Sequence, residues 1–185
     1  MSLFVRVRDG IEPSAGLGGI SEGDFRGALF DFLTSAGGVV DLANDHLLVT
    51  ENDPVAMNVL VTDGIGYIPN SSFNELDTDE IRNWEVIVTN EGALAISANS
   101  SGETRIDLIC VKLDTGISPN EYGSNIATLV VVVGTPGAGV PATPNDHLKL
   151  AEVTVANGET EIDNANITDS RAQLAIMVFL LKLQV

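Results

Sequence analysis

Two histidines are the residues of this chain best suited to acid–base chemistry, because an imidazole gains and loses a proton near neutral pH. His46 and His147 both follow an aspartate and precede a leucine. A general base also needs a positioned partner and a nucleophile within hydrogen-bond reach. We identify neither for these two residues and interpret both histidines as turn residues at the starts of strands.

An acidic cluster formed by Asp77, Asp79 and Glu80 is the best candidate for binding a hard cation through carboxylates. A calcium-binding loop of the type D-x-[DN]-x-[DN]-G would need an acidic or amide residue at 81 and a glycine at 82. Ile81 and Arg82 occupy those positions. We therefore interpret the cluster as a solvated loop and predict no metal site.

The glycine-rich stretch 134–139 superficially resembles a phosphate-binding loop. It lacks the Gly-Lys-Ser/Thr ending of such loops. A proline at 136 interrupts the stretch, and two more follow it at 141 and 144. Acidic residues are abundant everywhere, so the sequence does not single out a carboxylate pair of the kind that glycosidases use. The sequence therefore predicts no catalytic residue and no cofactor.

Cys110 is the single cysteine, so the chain cannot form an intrachain disulfide. It lies inside an apolar strand pattern, whereas a reactive thiol needs an exposed, electropositive setting. We predict a small buried side chain.

Composition limits the function classes further. The chain has 185 residues, 44% of them hydrophobic, which is enough to bury a core as one domain. Its 26 acidic and 9 basic residues give a net charge of −17, which repels phosphate backbones and argues against nucleic-acid binding.

The alternating start Met1–Arg8 is typical of a strand and not of a signal peptide, so we expect synthesis in a cytoplasm. No apolar run reaches the length of a membrane span.

Strand patterns dominate the chain. The runs 105–114 and 126–133 are apolar and β-branched, and 148–155 alternates except for one break at Ala151. The connector 134–145 contains three prolines and three glycines and cannot pair as a strand interior. Shorter candidates lie at 45–50, 56–62 and 65–68, and we expect 84–89 and 94–98 to form a hairpin. This spacing predicts a mainly β fold, an antiparallel β-sandwich or jelly-roll-like domain.

One short N-terminal helix is predicted between Ser21 and Ser35, where the hydrophobic period changes. Its apolar face is expected to pack against a sheet or a neighbouring subunit. That face consists of Phe25, Leu29, Phe32 and Leu33.

The segment 172–185 contains an uninterrupted apolar run that must be covered to avoid aggregation. We expect it to pack against copies of itself or another protein, with a final core strand as the alternative. The run consists of Ile176, Met177, Val178, Phe179, Leu180 and Leu181.

Several motifs occur in a fixed order: RIDLI-x-VKLD, a hydrophobic strand, GTP with a proline-rich loop, DHLKLAEVTV and NITDSR. In this order they resemble the core of baseplate and tail-fibre proteins of tailed bacteriophages, and the resemblance covers about 38–171. It implies a β-rich domain, in a homotrimer, that attaches a receptor-binding protein or an upper-baseplate subunit to the tail. It divides the chain into an N-terminal region of residues 1–37, a β-sandwich tail-protein domain of residues 38–171 and the apolar segment 172–185.

Four charged residues stand inside these motifs: Arg105, Asp107, Asp169 and Arg171. Each pair is two residues apart and shares a strand face, so cross-strand pairing between the two sets is geometrically feasible. We predict a structural role for all four.

The expected function is that of a virion structural protein, made in the bacterial host and joining phage tail or baseplate proteins without catalysis. A host-receptor or carbohydrate-binding module is the alternative and would need an exposed aromatic platform at Trp84, Tyr67 or Tyr122. A neck or capsid-decorating protein is a further variant.

Overall fold

The computed structural model describes residues 37–41, 43–69, 83–89, 91–113 and 127–174, with the backbone alone at 83–85. Within these residues the protein is mainly β, with almost no helix, as the sequence predicts. The elements are β1 Gly38–Val39, β2 Val49–Glu51, β3 Asn58–Val61, β4 Gly64–Pro69, β5 Asn83–Val88, β6 Leu94–Ala95, β7 Arg105–Leu113, β8 Ala127–Val132, β9 His147–Val155, a 3-10 turn Asn164–Asn166 and β10 Ile167–Asp169.

The strands form three antiparallel sheets. Sheet A has the order β1-β4-β5, sheet B the order β2-β3-β6 and sheet C the order β10-β9-β7-β8. Strand β10 lies against β2, and β6 lies against β8, so sheets B and C approach each other at two places. Strand β4 of sheet A lies against β9.

A single hydrophobic core joins the three sheets, because apolar residues from each belong to one packed cluster. Burial of this shared apolar surface is what holds the sheets together. Representative members with no exposed surface are Val39, Ile68, Val86, Val59, Ile109, Val111, Leu150 and Val153.

Strand β7 is the centre of sheet C, paired with β8 on one side and β9 on the other. Ile109 and Val111 face the shared core, whereas Leu108 and Cys110 point to the opposite face and are also fully buried. Burial on both faces explains why this strand reads as a continuous apolar run in the sequence.

A β-bulge in β9 explains the break in its alternating pattern. Ile109 of β7 lies opposite Ala151, but the next residue, Cys110, lies opposite Lys149. Leu150 is therefore an extra residue, and Leu150 and Ala151 are consecutive and both fully buried. An inserted residue of this kind shifts the alternation of the strand by one position.

The connector between β8 and β9 forms no strand, as its prolines and glycines predict. Gly137 donates its backbone N–H to the Thr104 carbonyl at 2.9 Å, and near the other end Asp146 accepts from Leu113 at 2.8 Å. Thr104 and Leu113 lie at opposite ends of β7, so the connector runs the full length of that strand.

The predicted hairpin between 84–89 and 94–98 is wrong. Strand β5 pairs with β4 in sheet A, and β6 pairs with β3 in sheet B. Strands β3 and β4 are adjacent in the chain but lie in different sheets. Their partners, β6 and β5, therefore lie in different sheets as well.

The predicted N-terminal helix, with Phe25, Leu29, Phe32 and Leu33, lies outside the described residues. So does the run 176–181. The start of the C-terminal segment is described: Val39 donates to Ala172 at 2.8 Å and Leu174 donates to Val39 at 2.9 Å, in a parallel bridge beside β1. The Leu174 side chain is buried by other residues of its own chain. Within the described residues, no helix is long and apolar enough to cross a membrane.

Candidate functional site

Arg105 and Asp107 form a buried bidentate ion pair. Arg105 Nε donates to Asp107 Oδ1 at 2.8 Å, and Nη2 donates to Oδ2 at 2.9 Å. The two residues are two apart on β7, so both side chains project from the same face of the strand. The Asp107 side chain has no exposed surface, and the Arg105 side chain is 7% exposed.

This pair, which we call the first clamp, holds two other segments in place. Arg105 Nη2 donates to the Ser97 carbonyl at 2.7 Å, and Nη1 contacts the Ala98 carbonyl at 3.4 Å. Asp107 Oδ1 accepts a further hydrogen bond from the Gly134 N–H at 2.9 Å. The first clamp therefore joins the chain after β6, strand β7 and the chain after β8.

Gly134 is required at its position by close approach. A Cβ atom there would lie 2.0 Å from the carbonyl oxygen of Ile106, far inside van der Waals contact. The absence of a side chain lets the backbone N–H reach Asp107.

Asn99 completes the polar contacts around the first clamp. Its structural role was not predicted from the sequence. It is 3% exposed, and its Nδ2 donates to the carbonyls of Glu103 at 2.7 Å and Val155 at 2.8 Å. Its Oδ1 accepts from the backbone and the hydroxyl of Ser101. The available signal was an asparagine followed two residues later by serine, since asparagine side chains commonly bond the backbone of their own turn.

Asp169 and Arg171 form a second clamp at the end of β10. Arg171 Nε and Nη2 donate to the two carboxylate oxygens of Asp169 at 2.9 and 2.7 Å. Arg171 Nη1 donates to the His46 carbonyl at 2.6 Å, which ties this segment to the turn before β2. The Arg171 side chain is 4% exposed and that of Asp169 is 47% exposed.

Hydrogen bonding by Arg171 affects the ionisation of Asp169. Hydrogen bonds from the Arg171 side chain hold the pKa of Asp169 below its ordinary value, and partial burial opposes this effect. The carboxylate is therefore ionised at neutral pH and keeps the guanidinium in place.

The cross-strand pairing between the two sets of charges, which their spacing made geometrically feasible, does not form. Strand β9 lies between β7 and β10, so the two sets are not on neighbouring strands. Each arginine instead pairs with the aspartate two residues away on its own segment.

Both histidines lie at turns before strands, as interpreted from the sequence. His147 begins β9, and its Nδ1 lies 2.7 Å from the carbonyl of Asn145. His46 lies between two residues with positive φ, Asp45 at 55° and Leu47 at 55°. Its Nδ1 is buried without a hydrogen-bond partner. Neither position brings a nucleophile to the imidazole among the described contacts.

Cys110 has no exposed surface, which confirms the prediction of a buried side chain. Burial raises the pKa of its thiol to about 11, with the charge of Lys149 acting in the opposite direction. A thiol with such a pKa is almost entirely protonated at neutral pH and is a poor nucleophile.

Other candidates lie largely beyond the described residues. The acidic cluster at 77–80, Tyr122 and a Gly-x-Ser-x-Gly match at Gly19–Gly23, which was missed in the sequence, fall outside them. Tyr67 is half-buried in β4, and Trp84 lies in β5. Within the described chain, no group of three or more His, Cys, Asp or Glu side chains is placed to hold a metal ion.

A cleft of about 320 Å³ lies between β6 and β8. The described residues that line it are 91–94 and 127–129, and among these Glu91 is the one that carries a charge.

Comparison with protein-family models, curated proteins and solved structures finds no match to this chain.

Proposed function

We propose that this chain is a structural protein of a tailed-phage virion that joins the baseplate or tail tip to fibres or receptor-binding proteins. The observation that carries the proposal is the set of contacts made by the charged side chains of the RID and TDSR motifs. In each motif the arginine and the aspartate pair with each other, and Arg105, Asp107 and Arg171 also bond backbone groups of other segments, which supports a structural role for these motifs.

The proposed role is assembly without catalysis, in a β-sandwich or jelly-roll-like domain that forms a homotrimer. The single core shared by three sheets supports a sandwich, and the ordered motifs support the phage context. Partners would be other tail or baseplate proteins, and the location would be the virion after synthesis in the host cytoplasm.

Labelling of intact particles tests this proposal. Antibodies raised against the purified chain should mark tailed particles from the strain that encodes it, with gold at the tail tip or baseplate. Mass spectrometry of the same particles should find the chain at a fixed ratio to the other tail proteins. Absence from purified particles would contradict the proposal, and label at the head–tail junction would favour the neck-protein variant.

A further inference from the structure

A long uncharged stretch stands out on this acidic protein. No Asp, Glu, Lys, Arg or His occurs from Ala127 to Asn145, although the chain carries a net charge of −17. The stretch comprises strand β8 and the connector to β9. We call its exposed portion the neutral face.

The neutral face includes a strand edge. Strand β8 is the last strand of sheet C, and among the described strands it pairs with β7 alone. An edge strand presents backbone N–H and C=O groups that can pair with another chain, and proteins usually protect such an edge with a charge or a proline. Residues 127–133 contain neither.

The neutral face also exposes apolar side chains. Val133 is 53% exposed and Val140 is 46% exposed. They are two of the three large apolar side chains that are exposed in the described portion of the chain, and the third is Val55 at 38%. The charged residues at its border include Glu91 in the cleft, Glu103 beside Gly137 and the exposed Lys112, which lies opposite Thr128 of β8. Exposed apolar side chains in a stretch that lacks charges fit the composition of the central part of a protein interface, where charged residues are depleted.

Charge decides which partner fits this surface. Two copies with a charge of −17 repel each other wherever acidic side chains meet within a Debye length of about 8 Å. A stretch without charges is where such copies can approach at the lowest electrostatic cost. A basic partner would be attracted to the acidic remainder of the surface instead.

We propose that the neutral face is a surface through which copies of this chain contact one another, with the edge of β8 that no described strand pairs with and the exposed valines at the contact. This inference depends on the charge distribution and exposure alone, and it does not require the phage assignment.

Charge substitution at the exposed valines tests the proposal in the full-length chain. Val133→Glu and Val140→Glu each place a carboxylate on both copies at the contact. Each should weaken self-association at least about tenfold, measured by sedimentation velocity over a range of concentrations, because opposed like charges are costly in an interface. Raising the salt concentration should strengthen association of the wild type, since salt screens the repulsion between acidic copies.

Val55→Glu is the matched control, because it introduces the same charge at an exposed valine in the connection between β2 and β3. It should leave association unchanged. All three variants should retain the wild-type circular dichroism and urea midpoint, since each site is already exposed.

The proposal is overturned if the wild type stays monomeric at every concentration, if either neutral-face variant associates like the wild type, or if Val55→Glu weakens association equally. A monomeric wild type that is nonetheless found in purified virions would overturn this inference and the homotrimer of the proposed function, and it would leave the proposed role in the virion intact.

Discussion

Asp107 accepts three hydrogen bonds at a position with no exposure to water, two from Arg105 and one from Gly134. A buried ion pair of this kind adds little net stability compared with apolar residues of similar size, because both charges lose their hydration. Removal of one member of the pair destabilises the protein far more, since the remaining charge stays buried without a partner.

Asp107→Ala should therefore lower the free energy of unfolding by about 3 to 5 kcal/mol, the usual cost of removing one member of a buried pair. The double variant Arg105→Met, Asp107→Ala should be more stable than Asp107→Ala alone, because it removes the stranded charge. Urea unfolding of the two variants and the wild type measures both effects. A double variant less stable than the single one would show that the arginine contacts to Ser97 and Ala98 matter more than its charge.

Asp169 provides a contrasting residue, because its side chain is half exposed and its pKa is lowered mainly by hydrogen bonds from Arg171. A lowered folded-state pKa gives a stabilisation that is fully present above the unfolded value of about 3.9 and is lost as the pH falls through the folded value. Solvent screening limits it to about 1 kcal/mol or less.

Asp169→Asn should accordingly be slightly less stable than the wild type at pH 7, and the difference should shrink as the pH falls below the ordinary aspartate pKa of about 3.9 and through the lower folded-state pKa. Urea midpoints of both proteins across that range provide the measurement. The comparison between the two proteins cancels most of the pH effects that the other carboxylates exert. A difference that grows at low pH would contradict the assignment of the lowered pKa.

Among the connecting elements, the chain after β8 needs a glycine at position 134 to adopt its conformation. Gly134→Ala should destabilise the protein by about 1 to 3 kcal/mol, the usual cost of forcing extra atoms into a packed site, because its Cβ would meet the Ile106 carbonyl oxygen. Gly139→Ala, in the same connector, is the control: no atom lies within 4 Å of its added Cβ. Thermal unfolding of both variants gives the comparison, and equal midpoints would refute the argument.

The long elements could be predicted from the sequence because their signals are local. The run 105–114 anticipated β7 to within one residue, and the glycines and prolines of the connector excluded a strand there. The break at Ala151 was visible as well, although its cause, the extra residue Leu150, requires knowledge of the partner strand.

Pairing between elements was not predictable in the same way. The expected hairpin of 84–89 with 94–98 follows from sequence proximity, but β5 and β6 pair with strands earlier in the chain. Similarly, the two sets of charges do not meet because β9 lies between β7 and β10. Hydrophobic period specifies which face is buried and does not specify which strand becomes the neighbour.

Across the whole molecule, one core links all three sheets, so the described portion should unfold as a unit. Cys110 offers a direct probe, because it is the single cysteine and is fully buried with a raised pKa. Its reactivity with a thiol reagent and the far-ultraviolet circular dichroism should change together, with the same midpoint in urea. Labelling that precedes the loss of β-structure would show that sheet C opens separately.

The bridge between β1 and 172–174 bears on how the protein would respond to mechanical tension. The two strands run parallel, so the chain before Gly38 leaves from one end of the bridge and the chain after Leu174 leaves from the other. A pull on those two flanking segments would load both bridging hydrogen bonds in shear, at the same moment, instead of peeling them apart one after another. In that direction the bridge would resist force through both of its hydrogen bonds together.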